Sequence, residues 1–456
     1  MTVAVGLGAC TQEPLPEPSA GAGTDAATSE GPSAGDSTGS DDSTGNDGVE
    51  ASVTYHEHLR PLLDEHCVSC HTPGNIGPFP LTNYDEVFTL REAIVNSVNA
   101  GTMPPWLATD DCQPYVGARS LAAEEIELVQ TWLAEGAHEG NPDDYVPVEV
   151  PPPPSLSRVD IELTMPQAYT PQAEPDDYRC FLLEWPETEP TFVTGFEAAP
   201  DDLAQVHHII AFAIPPEEVE FYEQLDAEEP GEGYTCFGGP GGEVNDPSNV
   251  GTWIGSWAPG GAANEFPEGT GLPMAPGSRV VLQVHYNTLA GDGGPDRSGI
   301  RFKVDSEVER PAAVMLWANP EWLAGFMPIP AGSPDTTHAF QLDPTEFMGF
   351  ITDGVVPSDQ PFEIHSASHH MHTRGSRAHQ SIVRGSGSDT CLLELPRWDF
   401  DWQTRYRFEE PIVFLPGDEL RMECEWNNEG NDQGVNWGDG TGDEMCLGIF
   451  YVTPMQ

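Results

Sequence analysis

The sequence predicts a multidomain chain: a small all-α domain over residues 53–142, then two all-β sandwich domains over 160–310 and 311–456. Three observations predict it. Apolar residues at helical spacing recur in the segments between 55 and 136. A Pro-rich stretch, NPDDYVPVEVPPPPSLSRVD at 141–160, reads as an extended, semi-rigid spacer centred on 143–159. Beyond it, short β-rich runs alternate with Gly, Pro and Asp turns, and roughly 300 residues of them exceed one sandwich, so a break is placed near 310.

The first ten residues contain VGLGAC, in which Leu7, Gly8 and Ala9 precede Cys10 in the pattern of a bacterial lipoprotein box. The stretch before it is too short and too poor in Arg and Lys for a signal peptide, so either the chain starts late or the box is chance. Residues 11–52 hold Gly, Ser, Thr, Pro, Asp and Glu with almost no large apolar side chain, and read as a disordered acidic tether. Acidic residues number 75 against 17 basic ones, of which Lys303 alone is lysine; the net charge of −58 excludes phosphate backbones as partners. No run of ~18 apolar residues exists, so membrane contact is expected only through a lipid anchor.

Within 53–142, YHEHLRPLLDEH places Leu59, Leu62 and Leu63 on one helical side. CVSCH then sets Cys67, Cys70 and His71 in the arrangement of covalent c-type haem attachment, two thiols for thioethers and an imidazole for iron; a zinc half-site or a disulfide is the alternative. NYDEVFTLREAIVNSVNAG reads as a second helix closed by Gly101, and Met103 in TMPPW, 32 residues beyond His71, is the candidate sixth ligand, with a core side chain as the alternative. A third helix runs from Ser120 as N-cap to Gly136. The segment resembles a small monohaem cytochrome c domain, which would be matured outside the cytoplasm.

In the β region, three strands carry the candidate histidine ligands. VHHII carries His207 and His208, LQVHYN carries His285, and SASHHMHTRG carries His369, His370 and His372. In a strand, residues two apart share a face, so His370 and His372 can chelate one ion while His369 points away. His207 and His208 point oppositely unless a bulge, a strand end or a change of ring nitrogen intervenes. Imidazoles with a thioether suit copper cycling between two oxidation states, whereas zinc more often recruits a carboxylate or thiolate.

These motifs resemble the copper type II, ascorbate-dependent monooxygenases, the peptidylglycine α-hydroxylating and dopamine β-monooxygenase family. The family's His-His-Met-x-x-Phe-x-Cys is met by His207, His208, Ile209 and Phe212, with Ile214 in the Cys place. Its Gln-Val-His-Tyr recurs as Gln283 to Tyr286, its His-Thr-His-x-x-Gly as His370, Met371, His372 and Gly375, and its Asp-Glu-Met-Cys at 443–446. The resemblance covers about 180–452 and implies two jelly-roll-like sandwiches, each with one copper ion. It implies that His207, His208 and His285 hold the electron-transferring copper, and that His370, His372 and Met445 hold the copper that binds O2. It implies disulfides Cys424–Cys446 and Cys180–Cys236. Cys112 and Cys391 remain as a bridge or as two free thiols. His369 fits no ligand place, and His365 stands where the family has Phe.

The expected function is hydroxylation of a C–H bond of a small molecule by O2, with an external reductant or redox protein as donor and the haem relaying electrons. The expected location is periplasmic or at a bacterial cell surface. A haem–copper electron-transfer protein and a lipid-anchored binding module are the alternatives. The amidating branch clamps a peptide carboxylate through positions that read Ser368, Leu447 and Ile449 here, so the resemblance points away from peptidylglycine and toward apolar or aromatic substrates. Arg374 and Arg377 are the nearby cations, as anion contacts or as solvated surface.

Overall fold

The computed structural model describes residues 52–455 apart from 74–76, 78, 149–153, 237–238, 242–250, 259–260, 289–292, 386, 401, 439 and 441. The lipoprotein box at 1–10 and, but for Ser52, the tether at 11–52 lie outside the described residues.

Helices Arg60–His66, Tyr84–Asn99 and Ala123–Ala134 enclose a small core of Tyr55, Leu59, Leu63, Val87 and Trp132. Asn83 caps the second by accepting from Glu86 N at 3.1 Å, and Gly101, at φ 65°, turns the chain out after it. The third helix begins three residues later than the expected cap. Ser120 Oγ is engaged with Asp110 Oδ2 at 2.6 Å, and the Glu125 carboxylate accepts from Ala122 N at 2.7 Å instead.

Four sheets follow. The first pair contains a five-stranded sheet in the order Tyr234–Thr235, Asp176–Glu184, Arg279–Asn287, Val206–Ile214 and Thr252–Trp257. Its apolar face shares a core with a six-stranded sheet that includes Thr191–Ala199, Thr270–Met274 and Gly299–Asp305, through Phe181, Ile209, Phe196, Leu272 and Phe302. The second pair comprises Ala313–Trp317, Leu447–Pro454, Phe362–His370 and Tyr406–Phe414, and opposite it Thr336–Leu342, Glu419–Trp426, Gly375–Val383 and Asp389–Leu395. Period-two burial is plain in Glu419–Trp426, where Leu420, Met422, Cys424 and Trp426 face the core and alternate with less buried Glu419, Arg421, Glu423 and Glu425. Three disulfides, Cys112–Cys391, Cys180–Cys236 and Cys424–Cys446, have Cα separations of 5.3, 5.9 and 6.0 Å.

The expected fold class is corrected. No separate all-α cytochrome c-type domain stands before two all-β ones: Ala51–Gln456 is one compact, mostly β unit. Three of the six α-helices among the described residues lie between strands, at Val219–Glu228, Pro320–Leu323 and Met348–Ile351. The physical reason lies in residues 105–119. Leu107, Ala108 and Tyr115 bury themselves in the core of the last two sheets rather than among the helices. Thr109 N donates to Glu394 O at 3.1 Å and Val116 N to Arg407 O at 2.8 Å, so this stretch is sewn onto sheet edges. The disulfide Cys112–Cys391 closes the same seam.

Candidate metal centres in one cleft

Strands Val206–Ile214 and Arg279–Asn287 pair antiparallel, with Val206 opposite Tyr286 and His208 opposite His285. The register shifts between Val206 and His208, so His207 is the extra residue of a bulge. The bulge turns both adjacent imidazoles toward His285. Ring nitrogens of His207, His208 and His285 all lie within 4.8 Å of one another, and Nδ1 of His285 and of His208 are 3.3 Å apart. Asp176 Oδ1 accepts from His285 Nε2 at 2.9 Å, which leaves Nδ1 of that ring for the cluster. Tyr178 stacks on His285 at 4.0 Å and 6°, and Tyr286 OH, bound to Asp296 Oδ2 at 2.9 Å, anchors the strand.

The second cluster is built differently from the expected strand pair. Phe362–His370 ends at His370, paired with Leu447, and His372 lies in the turn beyond. Their rings are 5.1 Å apart at 80°. Gln403 Oε1 lies 2.7 Å from His370 Nδ1, and Asp443 O 3.2 Å from His372 Nδ1, which makes the Nε2 atoms the candidate metal donors. Glu444, fully buried, fixes the turn: its carboxylate accepts from His372 N at 2.9 Å, Arg374 N at 2.6 Å and Trp426 Nε1 at 2.9 Å. Burial pushes its carboxyl up, only partly offset by those three donors. Met445 follows, buried, its neighbour Cys446 held by the bridge to Cys424.

His207 and His208 of the first cluster and His370, His372 and Met445 of the second line one cleft of about 910 Å³, while His285 is buried. Phe400 lies between them, stacked on His207 at 5.2 Å and edge-on to His372 at 6.2 Å. Burial, then neighbouring imidazoles, holds His208 well below the ordinary imidazole range and brings His372 to about 3; burial also lowers His285 and His370. The rings are therefore neutral near pH 7 and offer lone pairs. Nitrogen donors in the first cluster, and nitrogen with a thioether in the second, fit copper better than a hard cation.

His369 is accounted for elsewhere. Its Nδ1 accepts from Gln380 Nε2 at 2.8 Å, and its Nε2 meets Cys424 Sγ at 2.9 Å, so it backs the disulfide. His365 occupies another bulge and bonds Thr453 Oγ1 at 2.9 Å. Arg377 is committed to Glu394 and Glu423, each at 2.9 Å, and Arg374 to Asn428 Oδ1 and Gly442 O.

Near the helices, Cys67 and Cys70 are free thiols, and burial pushes Cys67 up to about 12. His71 Nδ1 bonds Phe79 O at 2.9 Å and leaves Nε2 open; a Cβ on Gly77 would stand 2.8 Å from that Nδ1. Thiols and imidazole thus fit a covalently attached haem, while Met103 is 42 % exposed. Pro105 and Trp106, just beyond it, line the cleft. Phe400 and Gln403 belong to no motif in the sequence, and of the further residues at the site only Glu444, in the Asp-Glu-Met-Cys motif, carries a local signal.

A β-rich chain with two clusters of imidazoles at one cleft defines a protein built to hold borderline-to-soft transition metals. Two family models match it: the copper type II ascorbate-dependent monooxygenase N-terminal domain at 161–292 and the C-terminal domain of the same family at 351–456, together about half of the chain. The chain belongs to this family. It is 28% identical over 211 residues to DBH-like monooxygenase protein 1 of Homo sapiens, covering 44% of this chain and 33% of that protein. It is 24% identical over 208 residues to dopamine beta-hydroxylase of Canis lupus familiaris, covering 44% and 32%. The matched part thus spans about a third of the length of these curated relatives. Among solved structures, the major capsid protein P2 from Bacteriophage PM2 matches at 10% identity and a TM-score of 0.25, covering 64% of this chain and 96% of that one.

Proposed function

We propose that this chain is a copper-dependent monooxygenase that hydroxylates a C–H bond of a small molecule. The reaction consumes R–H, O2, two electrons and two protons, and yields R–OH and water. The observation that carries the reading is the convergence of His207, His208 and His285 within 4.8 Å, across one cleft from His370, His372 and Met445. In this reading the first three residues hold one copper ion and the last three the other. Copper supplies one-electron redox chemistry and O2 activation there when bound. Asp176 and Gln403 fix the ring orientations through the nitrogens turned away from the cleft. Glu444 holds the His372 backbone, and Trp402, Leu447 and Ile449 give the cleft an apolar wall that excludes water beside it.

The reading extends to the donor side. Cys67 and Cys70 would carry a c-type haem, with His71 and Met103 as the residues that would hold its iron, and when bound it would supply electrons in place of or beside ascorbate. The free thiol pair, the open Nε2 of His71 and the path of Pro105 and Trp106 into the cleft support it. Three disulfides suit an oxidising compartment outside the cytoplasm, where Cys10 would serve as a lipid anchor.

The test is oxygen uptake by the copper-loaded protein with ascorbate and a panel of aromatic and aliphatic compounds, in the parent and in Met445→Ala. Uptake matched by hydroxylated product, falling at least about 100-fold in Met445→Ala, is expected. Reduction and reoxidation with artificial acceptors unchanged in Met445→Ala, and no product in either protein, would favour electron transfer instead.

A further inference from the structure

In a chain with 75 acidic and 17 basic residues, one wall of the cleft runs against the overall charge. Arg119, Arg405 and Arg407 line it, and among the described residues none of the three has a carboxylate partner. Glu265 is the acidic residue on this wall, and Lys303 already holds it at 2.6 Å. Arg407 Nη1 donates to Glu265 O at 3.2 Å, whereas Arg405 Nη1 has only the amide oxygen of Asn264, at 3.0 Å once that amide is turned to suit its neighbours. The Arg405 guanidinium also lies 5.7 Å from the Phe266 ring centroid.

The position of Arg405 is set by strand register. Strands Phe362–His370 and Tyr406–Phe414 pair Ser366 with Arg407 and Ala367 with Tyr406, which brings Arg405 alongside Ser368. Ser368 in turn pairs with Ile449 on the other side, and His370 with Leu447. Ser368 and Ile449 therefore form one cross-strand row, two residues from the His370 row, Arg405 stands immediately before the neighbouring strand, and all three line the cleft. Burial without a carboxylate disfavours the charged guanidinium, a cost that an anion arriving from the cleft would offset.

We infer that Arg405 is the anchor for an anionic group of the substrate, so that the cleft takes an organic anion, an apolar or aromatic body carrying a carboxylate or a like-charged group. Trp402, Leu447 and Ile449 would cover the apolar body, and Arg405 would place the anion a fixed distance from the His370 and His372 side of the cleft. Arg119 and Arg407 add long-range attraction along the same wall. The inference rests on the proposed function only in taking this cleft as the substrate site.

The test is equilibrium binding followed by tryptophan fluorescence, with 4-phenylbutyrate and its neutral counterpart 4-phenylbutanol as probes, on copper-loaded and metal-free full chains. A charge-assisted contact in a partly desolvated site favours the acid by at least about tenfold. The preference should vanish in Arg405→Gln, survive in part in Arg405→Lys, and weaken with salt. Copper content measured on each variant reports that the site is intact. An acid that binds the parent no more tightly than the alcohol, or a preference retained in Arg405→Gln, would overturn the inference. Acid preference that depends on Arg405 in a protein that neither retains copper nor consumes O2 would uphold the anion site and sink the monooxygenase reading.

Discussion

Replacing Glu444 by Gln takes away one of two oxygens that together hold three donors. Oε2 serves His372 N and Trp426 Nε1, and Oε1 serves Arg374 N. The amide keeps a single acceptor, and its NH2 must face a donor whichever way it turns. With the oxygen on the His372 and Trp426 side, the Arg374 N–H loses its partner. An orphaned donor in such a setting costs about 1–3 kcal/mol. Glu444 itself is fully buried, so water cannot substitute at the carboxylate. Glu444→Gln is therefore expected to lower the unfolding free energy of the metal-free protein by about 1–3 kcal/mol, and Glu444→Ala, which orphans all three donors, by more. Urea denaturation at pH 7 reads this as a lower midpoint at unchanged slope. A Glu444→Gln protein within ~0.5 kcal/mol of the parent would refute the claim that this carboxylate holds the turn between His370 and Gly375.

Asp176→Asn removes the charge that orients His285 and should weaken copper at the His207 cluster by roughly 10–100-fold while sparing the His370 cluster; competition with a copper chelator measures both. Burial works against the Glu265 charge, but hydrogen bonds from Lys303 and Ser157 and the lysine charge bring its carboxyl from 4.5 down to about 2. A depressed carboxyl stabilises the fold above its unfolded value and loses that contribution as pH falls through the folded one. The stability gap between the parent and Lys303→Met should thus hold at neutral pH and close between 4.5 and about 2; a gap that widens with acid would contradict it. Cys112→Ser combined with Cys391→Ser opens a link between residues 279 apart and should cost roughly 2–5 kcal/mol in thermal or urea unfolding, with no loss of copper.

Much of the candidate site is legible in the sequence because its donors sit in short motifs: HH, QVHY, HMH and DEMC each place a donor near a strand end. How the donors converge is not legible. Period-two alternation puts His207 and His208 on opposite faces, and only the one-residue register shift against Tyr286 and His285 brings them together. The same alternation puts His370 and His372 on one strand, whereas the strand stops at His370 and a buried Glu444 bends the chain to set His372. Phe400 and Arg405 carry no local pattern; long-range pairing brings them to the cleft, and such pairing leaves no trace in spacing. The expected all-α domain failed for a related reason. Helical periodicity reports which residues can form helices, but not that Leu107 and Tyr115, just past the second helix, find their apolar partners in sheets some 200 to 300 residues further along the chain.

The most direct measurement is copper stoichiometry, by metal analysis with electron paramagnetic resonance, on protein matured in a periplasm, loaded with Cu(II) and freed of excess. Two coppers per chain with nitrogen-rich signals are expected, falling to one in His207→Ala and to one in His370→Ala. A single copper in the parent, or none, would contradict the reading of His207, His208 and His285 and of His370, His372 and Met445 as two separate ligand sets.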